Sequence, residues 1–470
     1  MAFNSLTFVL FFLAVMGLYY ATSNWGTRKG ILLISSYLFY ASWNPIFIIL
    51  LWLSTVVDWI AAKKISCSEK VSKRLWLLLS LSTNLGILAY FKYGHFILDN
   101  FVLFVQQFGI LYAPPSMSIV LPMGISFYTF QTLSYTIDIY RGKTAPAESF
   151  LDYALYVSFF PQLVAGPIVR ATYFIPQCKT PKATTANQFG WGCIMITIGL
   201  FQKNLMADKL FAPVADQVFA AATPASFMAA WVGTFAFAGQ IFCDFSGYSN
   251  CAIGAALCLG FAIPDNFRFP YAAIGFSDFW KRWHISLSSW LRDYLYIPLG
   301  GSRHGSFARG RNLIFTMLLG GLWHGASWTF VAWGALHGFF LILEILLVNT
   351  FGYQRIWRSA IVQGFLGLVT FIAVCFAWVF FRATDFPSAF SLLSAMLFPS
   401  TTSGPLSSKG VAALIGILAL VAVHWHFRNT NLEEFAQKIP QWAISMGVGV
   451  MLFLIFTIHG SNRGFIYFQF

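Results

Sequence analysis

The chain has 470 residues, 58% of them hydrophobic and only 10% charged, with 52 phenylalanines and 17 tryptophans. A soluble domain carries about 25% charged residues, so a water-exposed surface cannot be built from this composition, and the class is an all-α polytopic membrane protein. The net charge of +13 sits in short basic clusters between apolar runs, the pattern of cytoplasmic loops and not of a nucleic-acid-binding face, and no nucleic-acid partner is expected.

The first apolar run extends from Leu6 to Tyr20, and Met1–Ser5 lacks Lys and Arg. A cleaved leader needs a basic start, so a retained first span is expected. Further apolar runs are 5–22, 30–43, 45–62, 75–93, 97–112, 118–138, 150–166, 190–211, 227–262, 277–299, 312–322, 326–349, 360–381, 386–398, 410–427 and 441–459. A crossing needs about 20 apolar residues, and several of these are too short. Others are interrupted, at Asn44-Pro45, Pro122-Met123-Gly124 and Gly166-Pro167. Broken helices survive at membrane depth only where protein or a water-filled cavity satisfies the freed backbone. The expectation is therefore roughly ten to twelve crossings plus re-entrant and interfacial helices around a central cavity, in one domain covering 1–470, since no long polar linker divides it. The basic pair Arg28-Lys29 and the cluster Lys63, Lys64, Lys70, Lys73 and Arg74 place those loops in the cytoplasm. The stretch 277–311, with Lys281, Arg282, Arg292, Arg303, Arg309 and Arg311, reads as a cytoplasmic interfacial segment. Cysteines 67, 178, 193, 243, 251, 258 and 375 are scattered without CxxC spacing and read as apolar fillers, neither disulfides nor metal ligands.

Two stretches carry candidate chemistry. Between Arg311 and Glu344 no charged residue occurs, yet His324 and His337 lie there, His324 within Gly320-Gly321-Leu322-Trp323-His324-Gly325-Ala326-Ser327. Ionisable groups inside a membrane are costly and are functional candidates by default. Small residues let a substrate or another backbone approach, and a neutral imidazole in a low-dielectric site can act as a base near neutral pH. Thirteen residues of continuous helix separate the two histidines by about 20 Å, so they share a site only if Gly325 or Gly334 breaks the helix. No HExxH or Cys/His cluster points to a metal. The second stretch, Phe279-Trp280-Lys281-Arg282-Trp283-His284-Ile285-Ser286, sets His284 among tryptophans and cations. Of the other polar residues in apolar settings, Asp138 and Arg141 are spaced as a helical pair, and Asp244 and Arg382 read as paired structural charges.

The strings WKRWHISLSSWLRDYLYIPLGG and GGLWHGASW, with GISFYTFQTLSYTIDIYRG, FFPQLVAGPIVR, FCDFSGYSNCAIGAALCLGF, NFRFPY and WVFFRA in this order, resemble the membrane-bound O-acyltransferase (MBOAT) family. The likeness covers nearly the whole chain and is strongest to the bacterial branch that includes the alginate O-acetyltransferase membrane subunit, with teichoic acid D-alanyl transferases more distant. It implies a tunnel through the membrane, His324 as catalytic base and His284 as its polar partner. Trp323, Lys281, Arg282, Trp283 and Ser327 then become substrate-binding candidates. The resemblance also implies a thioester donor, acetyl-CoA, from the cytoplasm, no bound cofactor or metal, a multi-pass location in the bacterial inner membrane, and a periplasmic acetyltransferase partner acting on an exopolysaccharide. The C-terminal Phe465-Ile466-Tyr467-Phe468-Gln469-Phe470 resembles the C-terminal motif of the small membrane partner in teichoic acid D-alanylation, which implies Tyr467 as an acyl carrier. Peptidoglycan as acceptor, or a transporter without chemistry, remain alternative readings of the sequence.

Overall fold

The computed structural model describes residues 1–115, 119–164, 166–221, 226–352, 359–399, 406–458 and 463–466, and no strand occurs among them. The helices gather into two compact units, one made of 1–192 with 255–264 and the other of 193–254 with 265–470.

In the first unit, α1 (Leu6–Ala21) starts on the Ser5 side chain, which accepts from Phe8 N–H, and α2 (Trp25–Ala41) starts on Asn24 in the same way. A side-chain oxygen at this position satisfies one of the amides that an open helix end leaves bare. α1 packs through Phe8, Phe12 and Tyr19, and the Tyr19 hydroxyl donates to Leu259 O at 3.0 Å. The Asn44-Pro45 break forms a short 3-10 turn leading into α3 (Ile48–Cys67). α4 (Lys70–Gln106) is one helix where the sequence divides into 75–93 and 97–112. Gly94 bends nothing there, and the 37 residues extend about 55 Å. α5 (Ile125–Tyr140) begins at Gly124, whose φ of 73° and approach to Leu163 O leave no room for a side chain. α6 (Phe150–Ser158), α7 (Phe160–Leu163) and α8 (Ala171–Lys179) follow, with Gly166-Pro167 between the last two.

Several buried polar groups inside this unit are paired. Asn84 donates to Asp58 Oδ2 at 2.8 Å and accepts from Ser54 and Thr132. Lys29, expected in a cytoplasmic loop, is buried and ion-paired with Asp152 of α6. Asp138 lies 3.8 Å from Lys143 Nζ. All seven cysteines are free, and five of them (178, 243, 251, 258 and 375) are buried.

α9 (Ala186–Phe201) leads into the second unit. It continues as a π-helix over Gln202–Phe211 and then as α10 (Ala212–Phe219). Next come α11 (Phe227–Cys258), the short α12 (Phe276–Arg282) and α13 (Ile285–Leu291), and α14 (Gly305–His324). The order finishes with α15 (Trp328–Phe351), α16 (Ala360–Arg382), α17 (Phe386–Leu397), α18 (Ser408–Phe427), α19 (Leu432–Ala436) and α20 (Gln441–Thr457). Among the described residues six helices are long and apolar enough to cross a membrane, namely 45–67, 70–106, 227–258, 328–351, 360–382 and 408–427. The other apolar runs of the sequence fold as shorter helices, including 6–21, 386–397 and 441–457.

α14 and α15 form a hairpin that fits only because of its glycines. A Cβ on Gly321 would stand 2.2 Å from Phe330 O, and one on Gly334 would stand 2.2 Å from Met317 O. α9 and α11 cross in the same manner at Gly199 and Gly247. Small residues at such crossings give packing and backbone contact where lipid removes the hydrophobic drive between helices. Around the hairpin, Trp283, Trp333 and Trp378 are fully buried and stack with Phe279 and Phe381.

The segment 277–311 departs from an interfacial helix. Its helix breaks between Arg282 and Ile285, and Trp283 and Trp290 turn into the core while Lys281 and Arg292 stay exposed. Burial of the rings outweighs lying at the surface, because the tertiary fold supplies an apolar wall for them.

Gly334→Ala should destabilise the detergent-solubilised protein by about 1–3 kcal/mol through overpacking. Gly364→Ala on α16, where a Cβ meets nothing within 4 Å, should leave the thermal midpoint unchanged or slightly raised. Equal midpoints for the two variants would remove the close-packing role of Gly334.

Candidate active site

His324 is the last residue of α14, and the chain turns over Gly325–Ser327 before α15 begins. A Cβ on Gly325 would strike the Phe330 ring at 2.1 Å, so the glycine is needed for the turn itself. His324 is 3% exposed. Its ring centroid lies 4.9 Å from Trp323, 5.1 Å from Trp333, 5.2 Å from Phe381 and 6.5 Å from His284. The break at Gly325 folds the helix back, so His337, on α15, also meets Trp333, with centroids 4.8 Å apart. The two histidines thus pack on one tryptophan.

His284 reaches the same place from the kink between α12 and α13. It sits at φ 42°, ψ 56°, a left-handed conformation that is uncommon for a residue with a side chain. Such strain persists where the surroundings over-determine it and is frequent at functional sites. Here the surroundings are Asn266, whose backbone oxygen accepts from Ile285 N–H at 2.9 Å. Asn266 Oδ1 accepts from Ser286 N–H at 3.3 Å and from Ser286 Oγ at 2.8 Å, and it lies 3.1 Å from His284 Nδ1. A backbone amide only donates, so that Asn266 atom is the oxygen, and His284 Nδ1 must be the protonated nitrogen. The lone pair is then on Nε2. Complete burial pushes the imidazole down to about 3, so the ring is neutral near pH 7 and presents an acceptor. Trp323 packs on both rings, 5.9 Å from His284. The two histidines are too far apart to bond each other directly and close enough for one hydroxyl to lie between their nitrogens.

Next to Trp280, α12, α13, α14 and α15 line an open cavity of about 510 Å³. Lys281, Arg292 and Arg309 line it, with Glu344 as the acidic residue. Glu344 is engaged, since its carboxylate accepts from Phe276 and Ser277 N–H at the start of α12. Arg309 Nε is buried and makes no hydrogen bond among the described residues, which leaves a cationic donor facing the cavity. Trp280 forms part of the wall and packs on Trp333, 5.7 Å between centroids, and through it on His324.

The remaining candidates divide. Lys281 lines the cavity, but Arg282 and Trp283 do not. Arg282 bonds Asp278 at 2.9 Å and Arg428 O at 2.7 Å, and Trp283 is 0% exposed in the aromatic core. Ser327 caps α15, accepting from Thr329 N–H. Tyr467 lies outside the described residues, which on this tail end at Ile466. Sequence reasoning missed Asn266, Trp333 and Phe381, and it named Arg309 only as one of the cations of the 277–311 segment. Asn266 stands in the quoted NFRFPY string, yet nothing local marks it, because its partners are 18 to 20 residues away.

Residues 147–383 match the membrane-bound O-acyltransferase family, MBOAT. The sequence is 41% identical over 441 residues to a probable alginate O-acetylase of Pseudomonas putida, covering 93% of this chain and 88% of that protein. A probable alginate O-acetylase of Pseudomonas aeruginosa is 40% identical over 94% of this chain and 85% of its own length. A peptidoglycan O-acetyltransferase of Helicobacter pylori is 39% identical over 78% and 73% respectively. With a helix-rich membrane architecture, two buried histidines at a helix break and these matches, the chain belongs to the membrane-bound O-acyltransferase family.

Proposed function

We propose that the protein transfers an acetyl group from acetyl-CoA, taken from the cytoplasm, to a hydroxyl presented from the outer side, for O-acetylation of an extracytoplasmic polysaccharide of the alginate type. The observation that carries the reading is the buried pair His324 and His284, with the tautomer of His284 set by Asn266. Membership of an acyltransferase family excludes the transporter reading. The names of the Pseudomonas relatives support an exopolysaccharide, and that of the Helicobacter relative keeps peptidoglycan as the second acceptor.

In this reading the phosphates of the donor sit against Lys281, Arg292 and Arg309, which suit anions. The acyl end reaches the histidines past Trp280 and Trp333. His324 takes the proton of the acceptor hydroxyl as its oxygen attacks the thioester carbonyl. The tetrahedral intermediate then collapses, the C–S bond breaks, and His324 returns the proton to the leaving thiolate. The hydroxyl has a single proton, which goes to His324, so His284, whose Nε2 carries a lone pair, neither receives that proton nor donates to the oxyanion. Donors for the oxyanion are the indole N–H of Trp323 and that of Trp333, which is buried without a hydrogen bond among the described residues. The hydroxyl is assigned to Tyr467 as a first carrier. A phenol has a pKa near 10 and needs a base to become nucleophilic. A periplasmic partner then moves the acetyl group to the polymer, and the protein lies in the inner membrane as a multi-pass enzyme.

His324→Ala, inserted normally, should lose about 10²- to 10⁴-fold in acetyl transfer; wild-type turnover would sink the assignment. Radiolabelled acetyl-CoA should leave label on the protein or the polymer. Asn266→Ala should lower kcat by about tenfold or more, because His284 loses the bond that sets its tautomer. Lys281→Ala with Arg309→Ala should raise KM for acetyl-CoA about tenfold at low salt with kcat nearly kept, and an unchanged KM would move the donor elsewhere.

A further inference from the structure

The C-terminal residues Arg463–Ile466 lie against a buried set of charges that the transfer chemistry does not use. The set begins in the π-helix at 202–211. In an α-helix residues five apart face different sides, whereas a π-helix closes its turn at i+5. Lys203 and Asp208 therefore meet, Nζ to Oδ1 at 2.8 Å, and Lys203 also reaches Asp244 Oδ1 of α11 at 2.7 Å. All three side chains are at most 3% exposed.

One lysine between two carboxylates leaves Asp244 short of donors, and the strap supplies one. Ile466 N–H donates to Asp244 Oδ2 at 2.6 Å, and Gly464 O accepts from Lys203 Nζ at 3.4 Å. One helix along, Asp216 of α10 bonds Arg382 at 3.0 Å and also pairs with Arg463. Three carboxylates, Asp208, Asp216 and Asp244, then face three cations, Lys203, Arg382 and Arg463. Lifting the strap leaves Asp216 with Arg382 alone and takes from the buried Asp244 the amide that offsets its shortage of cations. Between the two polar points, Phe465 is 0% exposed, 4.3 Å from Tyr248 and 5.6 Å from Phe245. Phe245 in turn lies edge-on to His284 at 4.6 Å.

We propose that Asp244, with Lys203 and Asp208 behind it, and Asp216 form a clamp for the strap 463–466, and that they are positioning residues which hold it beside Phe245, the edge-on neighbour of His284. The groove is thus a binding site for a short aromatic peptide segment, filled here by residues 463–466. The clamp itself rests on the contacts of 463–466, and its effect on turnover rests on the reading of Tyr467 as carrier.

The test uses the full chain in nanodiscs, with Asp244→Asn, Arg463→Gln and Tyr467→Phe. Arg463 is on the strap, so its variant leaves the core cluster whole even if Asp244→Asn folds poorly. Carboxypeptidase trimming, read by mass spectrometry, should stop near Ile466 in the wild type. It should run past Ile466 about tenfold faster or more in the two clamp variants, because each loses a charge-assisted bond. Their kcat for acetyl transfer should fall by a similar factor while KM for acetyl-CoA stays within about twofold of wild type. Tyr467→Phe should keep the wild-type trimming rate and lose transfer. Unchanged trimming in both clamp variants overturns the clamp. Faster trimming with wild-type kcat overturns the positioning role. Full transfer by Tyr467→Phe overturns the carrier reading and leaves the clamp to be judged by trimming alone.

Discussion

The close contact of two helix backbones at Gly321 and Gly334 is the constraint on which the site depends. It allows α14 to end at His324 and α15 to return at once along it, so that residues thirteen apart in sequence both pack on Trp333. Any side chain at those two positions would meet a carbonyl oxygen at 2.2 Å. The aromatic layer of Trp283, Trp333, Trp378 and Phe381 then packs against the tip of the hairpin and excludes water from the histidines. In that dry setting hydrogen bonds and charges act with little screening.

In the same low dielectric several buried charged and polar groups are found in company. Lys29 pairs with Asp152, Asp58 with Asn84, and Lys203 with Asp208 and Asp244. His284 is held by Asn266 at the cost of a left-handed backbone, of order 1–3 kcal/mol. Arg309, which lines the cavity, has a buried Nε without a hydrogen bond among the described residues, as do Arg382 and Arg428.

His284 shows how geometry redefines a role. As a member of a histidine pair it reads equally well as donor or acceptor. The three bonds converging on Asn266 Oδ1 decide the matter, since one of them comes from an amide that cannot accept. A neutral Nε2 is an acceptor, and it has no proton to donate to a developing negative charge.

Composition alone determined the membrane class, because a chain with so few charges has no soluble surface to offer. The interruptions at Asn44-Pro45, Gly124 and Gly166-Pro167 were legible for a local reason: proline lacks the amide, and glycine takes backbone angles that other residues avoid. His324 was legible because a lone ionisable group in an uncharged run is costly wherever the chain goes. Local pattern could not reveal that α4 runs unbroken through Gly94, that Lys29 is buried and not in a loop, or that the tryptophans of 279–290 turn inward. Those outcomes depend on which wall the rest of the chain provides. Asn266, Trp333, Arg309 and the Lys203–Asp208–Asp244 cluster were likewise decided only by the tertiary structure, because each draws its meaning from partners brought together by folding, and the sequence holds no periodicity that records a contact across helices.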